Sequence, residues 1–89
     1  MEQIRLRTDE LKWREIEHEV VAVDVKTSTY LSANESGALL WRRLADGASR
    51  DDLVGGLVDR FGIDAETAGT DVDRFLDELR SQGLLEAER

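Results

Sequence analysis

The hydrophobic period of this chain changes once, at Asn34, and that single change restricts the possible folds more than any other feature. Before it the pattern has period two: Leu11, Trp13 and Glu15 alternate with Lys12, Arg14 and Ile16, and Val21, Val23 and Val25 alternate with Ala22 and Asp24. Alternation of this kind belongs to half-buried strands. Glu17, His18 and Glu19 form a polar turn between the first two runs, and Lys26 to Ser28 form a second turn before Thr29, Tyr30, Leu31, Ser32 and Ala33. The spacing predicts a three-stranded antiparallel meander over about residues 10–33. Ile4 and Leu6 are expected to add a short stretch of strand at the start.

After Asn34 the period is helical. Asn34 is a favourable N-cap, because its side-chain oxygen can accept from the free N–H groups of a first helical turn. A first helix is expected to about Ala45, burying Leu40, Trp41 and Leu44, with Gly47 supplying a left-handed residue at its end. Ser49 caps a second helix whose first turn holds Asp51 and Asp52, at the positive end of the helix dipole. Its inner face is Leu53, Leu57, Val58 and Phe61, and Gly62 stops it. Asp64 caps a third helix in which Ala65, Ala68, Val72, Phe75, Leu76 and Leu79 recur at helical spacing as far as Gly83. Leu84 and Leu85 then return to the core. Strands followed by helices over about residues 35–82 give an α+β class, with the helices covering one face of the sheet. The second and third helices resemble a helix-turn-helix, and residues 1–89 are read as one domain.

Composition bears on function mainly by exclusion. Twenty acidic side chains against twelve basic ones leave a net charge of −8. Nucleic-acid affinity rests on clustered Lys and Arg, so phosphate is repelled, and anionic membranes are disfavoured for the same reason. The third helix would be the recognition helix of a DNA-binding domain. It carries Asp64, Glu66, Asp71, Asp73, Asp77 and Glu78, with only Arg74 and Arg80 opposing them. No cysteine is present, which removes disulfides, thiolate metal sites and thiol nucleophiles together. Met1 to Thr8 lack a continuous apolar run, so neither a signal peptide nor a membrane span is read there. A soluble, cytoplasmic protein is the expectation.

Enzyme-like constellations fail on specific residues. The one histidine, His18, falls in the first turn between two glutamates, where no cleft brings partners to it. Asp71 and Asp73 have the opening spacing of a calcium loop, but Phe75 and Leu76 occupy the positions of a ligand and of the sharp glycine turn. Gly55 and Gly56 lie inside an apolar helical stretch with no following Lys-Ser or Lys-Thr, so close helix packing or a weak helix is the reading, not a phosphate loop. A carrier protein needs Asp-Ser at a helix start, and no such pair occurs. No catalytic, cofactor-binding or metal-ligating residue is assigned.

With caps and strands in place, the runs Tyr30-Leu31-Ser32-Ala33-Asn34, Ser36-Gly37-Ala38-Leu39-Leu40-Trp41 and Leu44-Ala45-Asp46-Gly47 resemble the signature of the PqqD family. The ending does so as well: Asp71, Val72, Phe75, Leu76, Leu79, Gly83, Leu84 and Leu85 fit its pattern, and Phe61 is the apolar residue before Gly62. The likeness covers the chain from about Leu11. It departs at Glu17-His18-Glu19, where relatives often have a glycine.

This resemblance implies a winged helix-turn-helix domain that recognises the leader segment of a ribosomally made, post-translationally modified peptide. Such a domain presents the precursor to a separate modifying enzyme, such as a leader peptidase, a cyclase or a radical enzyme, and has no turnover of its own. The discrete proteins of lasso-peptide pathways are similar in length. In the family the leader adds as a strand beside the third strand and packs on the third helix. Carried onto this chain, the edge is Ser28, Thr29, Tyr30, Leu31 and Ser32. The helical wall is drawn from Val72, Phe75, Leu76 and Leu79, with Asp73 and Arg80 at its rim. The alternative is a winged-helix regulator, or an interaction adaptor unrelated to peptide modification.

Overall fold

The computed structural model describes residues 3–86. Three strands, β1 (Leu11–Ile16), β2 (Glu19–Asp24) and β3 (Thr29–Ala33), precede three helices, α1 (Glu35–Asp46), α2 (Arg50–Phe61) and α3 (Ala65–Ser81). The sheet is an antiparallel meander in the order β1-β2-β3. The β1–β2 hairpin closes through Glu17 and His18 alone, both at positive φ (50° and 72°). Such two-residue loops match the twist of the flanking strands, and they favour Asn-Gly because a Cβ is strained at positive φ.

The sequence alternation placed Val21, Val23 and Val25 together on one face of β2, and the structure buries the opposite set. Val20, Ala22 and Asp24 are at most 1% exposed, whereas Val23 is 38% and Val25 51% exposed. The run Val20 to Val23 is apolar at both parities, so β2 cannot choose its own face. Its neighbour decides. Val20 pairs with Ala33 and Ala22 with Leu31, which lines up the small and aliphatic residues of both strands over the helices. Asp24 follows them inward and is met there by Arg7, whose Nη2 lies 2.8 Å from its Oδ1.

Ile4 and Leu6 do not lengthen the sheet. Ile4 forms an isolated bridge with Ala48, and Leu6 with Leu85. Their backbones thus join the start of the chain to the α1–α2 connection and to the segment after α3. Both side chains are buried, so their apolar character serves the helical half of the molecule.

Each helix begins where its cap predicts. Asn34 Oδ1 accepts from the Gly37 N–H at 3.1 Å, Asp64 Oδ1 accepts from Thr67 N–H at 2.7 Å, and Ser49 and Asp52 form a reciprocal capping box. At the end of α1, Gly47 has φ 94° and ψ 129°. It is therefore a positive-φ turn but not the left-handed helical cap expected, which Gly62 does supply. The core joins Leu40, Trp41 and Leu44 of α1 to Leu53 and Leu57 of α2 and to Ala68, Val72, Leu76 and Leu79 of α3. Gly56 allows a close α1–α2 crossing, since a Cβ there would come within 3.0 Å of Leu39 Cδ2.

The expectation that all the helices cover the sheet needs refinement. α1 packs against β2 and β3, α2 packs on α1, and α3 packs chiefly on α2. The third helix therefore stands beside the sheet, not beneath it. Among the described residues no helix is long and apolar enough to cross a membrane.

Candidate functional site

β3 is an edge: β2 lies on one side of it and, among the described residues, no strand lies on the other. Every second N–H and C=O of such an edge points outward without a ladder partner. Because α3 is held by α2, a gap remains between this edge and the helix. Gly37 is where β3, α1 and α3 converge. A Cβ at that position would lie 2.9 Å from Ala33 Cβ and 3.3 Å from Phe75 Cε1, so the close approach requires glycine.

The gap is a concavity of about 600 Å³. Leu31, Ser32 and Ala33 form its strand side, and Leu40 and Leu57 reach it from α1 and α2. Its helical wall is Asp71, Arg74, Phe75 and Glu78, one face of α3 at i, i+3, i+4 and i+7. Asn34, Ser36 and Glu19 complete the end near the α1 cap. An extended segment laid here could donate to and accept from the β3 backbone while burying alternate side chains against Phe75 and the aliphatic floor.

The residues proposed from sequence distribute unevenly around this groove. Leu31, Ser32 and Phe75 line it. Ser28 precedes β3 in the turn, at φ 59°. Thr29 and Tyr30 belong to the strand, but the Tyr30 side chain is 64% exposed, on the face turned away from the helices. Val72 and Leu79 are fully buried and Leu76 is 3% exposed, so these three hold α3 in the core and do not form the wall. Asp73 faces α2, where Arg50 grips it in a bidentate pair at 2.8 and 3.1 Å. That hydrogen bond holds the Asp73 carboxyl below the usual range and raises the Arg50 guanidinium. Arg80 lies 3.7 Å from Asp77, outside the groove lining. Sequence reasoning missed Ala33, Gly37, Leu40 and Leu57, and on the helix Asp71, Arg74 and Glu78. The last three form with Phe75 a second stripe on α3, one step around from the core stripe, and nothing in the sequence alone marks it as the groove face.

Among the described residues no group of three His, Cys, Asp or Glu could hold a metal ion. His18 borders a small depression whose acids, Glu15 and Glu35, are already paired with Arg42 at 2.6 Å and Arg60 at 2.7 Å.

Fold and groove together define a class: small α+β modules with an open sheet edge beside a helix. Within that class the chain belongs to the PqqD family, whose model, described as coenzyme PQQ synthesis protein D, matches residues 19–85. Two solved structures are similar over nearly the whole chain. One is TbiB1 in complex with the TbiA(beta) leader peptide, 26% identical with a TM-score of 0.85, covering 96% of this chain and 98% of that one. The other is a lasso peptide synthetase B1 complexed with the leader peptide, 25% identical with a TM-score of 0.81, covering 94% and 98%. No curated protein matches the chain.

Proposed function

We propose that this chain is a non-catalytic recognition domain that binds the leader segment of a ribosomal precursor peptide and presents it to a separate modifying enzyme. The observation that carries this reading is the open β3 edge facing an unfilled, apolar-floored groove across Phe75. The two similar structures support it, since both are leader-peptide complexes. In this reading the leader extends the sheet as a fourth strand along Thr29–Ala33. Its alternate side chains settle over Leu31, Ala33 and Phe75, with Asp71, Arg74 and Glu78 at the rim. The reading places the domain in the cytoplasm, where a ribosomal precursor first becomes available, and treats the chain as one recognition unit.

Magnitudes are consistent with a reversible delivery role. Each added backbone hydrogen bond contributes about 0.5 to 1.5 kcal/mol net, and each buried apolar side chain about 1.5 to 3 kcal/mol. Ordering a flexible peptide costs about 2 to 5 kcal/mol. A few of each leaves micromolar to nanomolar affinity, tight enough to capture a precursor and weak enough to release it.

The test is to add the protein in trans to its modifying enzyme with two substrates, the full precursor and the same peptide without its leader. Modification of the full precursor should accelerate, through a lower apparent KM, while the leaderless peptide is almost unaffected. Equal acceleration of both would contradict the proposal.

A further inference from the structure

The groove carries a charge pattern that its apolar floor does not require. Three carboxylates, Glu19, Asp71 and Glu78, line it against one guanidinium, Arg74. Elsewhere arginines are mostly tied to acids: Arg5, Arg7, Arg42, Arg50, Arg60 and Arg80 each sit in an ion pair. The four groove charges, by contrast, make no ion pair and no side-chain hydrogen bond among the described residues. Asp71 and Glu78 also bracket Phe75 along the helix. Seven residues of α-helix span about 10 Å, against about 13 Å between the first and fifth residues of a strand.

We infer that the groove selects a basic strand: an extended peptide segment with an apolar side chain seated on Phe75 and Lys or Arg at the alternate positions on either side, facing Asp71 and Glu78. This inference rests on the leader-binding reading and names the chemical class of segment that the reading leaves open. Carboxylates at those two positions would face like charge only partly offset by Arg74, at the rim of a groove where screening is weaker than in open solvent. The pattern excludes rather than merely attracts, which is how a shallow groove gains specificity.

The experiment uses fluorescein-labelled synthetic peptides of roughly 12 residues, one strand-forming sequence with a central Leu flanked at both alternate positions by Lys, Ser or Glu. Binding is read by fluorescence anisotropy against the full chain. The Lys peptide should bind about tenfold more tightly than the Glu peptide, with Ser between them, the size expected of two partly exposed charge contacts. The ratio should shrink at high salt and collapse in the double variant Asp71→Asn, Glu78→Gln. A Lys peptide whose central Leu is replaced by Ser should bind weakly. If it binds as well as its parent, the attraction is to the net charge of the protein and the inference fails. Equal binding of the Lys, Ser and Glu peptides would overturn charge selection while leaving strand addition intact. If none of them bound, the groove itself would be the wrong site.

Discussion

At the residue scale the least expected feature is a buried carboxylate. Asp24 is 1% exposed, on the inner face of β2, yet it is held by Arg7 at 2.8 Å and accepts the Lys26 backbone N–H at 3.0 Å. The Arg7 guanidinium beside it is the main reason its carboxyl titrates below the usual range. Arg7 also donates to Gly83 O at 2.7 Å, so one guanidinium joins the sheet to the end of α3. A carboxyl whose folded pKa is depressed contributes stability that is present above its unfolded pKa and lost as pH falls through the folded value. The melting temperature should therefore drop in acid partly through Asp24. Asp24→Asn should lower the neutral-pH melting temperature and flatten the acid limb of the pH profile, and an unchanged limb would show that other carboxylates govern it. Asp73→Ala should cost little by comparison. Asp73 and Arg50 are both about half exposed, and solvent screens a pair of that kind.

At the element scale, what could be read from sequence follows from how local the determining physics is. Asn34, Ser49 and Asp64 were legible as caps because a cap satisfies N–H groups only two or three residues away. The face of β2 was not, because Val20 to Val23 is apolar at both parities and the choice is made by Leu31 and Ala33 across the strand pair. Ile4 and Leu6 carried a strand-like pattern, but their partners, Ala48 and Leu85, lie far along the chain. On α3 the core stripe and the groove stripe are adjacent and both contain apolar residues. Only the position of α2 separates Val72, Leu76 and Leu79 from Phe75, so the site was legible as a helix but not as a face.

The β1–β2 hairpin carries a further prediction at this scale. His18 at φ 72° holds a Cβ in the left-handed region, which costs about 1 to 2 kcal/mol. Glycine removes that strain but adds about 0.4 to 1 kcal/mol of chain entropy to be lost on folding. His18→Gly should therefore raise stability by roughly 0 to 1.6 kcal/mol and leave leader affinity unchanged, as read from urea melts and anisotropy. Destabilisation would mean that the turn is not strained.

At the scale of the whole molecule, the arrangement separates holding from binding. The core runs through α1, α2 and the buried stripe of α3, fastened by the chain start through Ile4, Leu6 and Arg7. α3 is thereby fixed at a distance from β3 without the sheet closing over it, and the groove exists because two elements are each held by something else. Leader binding should accordingly require no rearrangement of the core. Proline shows which backbone groups matter, because it removes an N–H and is tolerated on an edge only where that group faces outward. Along Thr29–Ala33, proline variants should fall into two alternating classes, one folded but unable to bind leader, the other unfolded.

Amide hydrogen exchange on the labelled protein, with and without saturating leader peptide, tests strand addition most directly. Binding should slow exchange at alternate residues of Thr29–Ala33, perturb the resonances of Asp71, Arg74 and Phe75, and leave the amides of Leu11–Ile16 as they were. Protection appearing along β1 instead, or no change in β3 under saturation, would contradict the account.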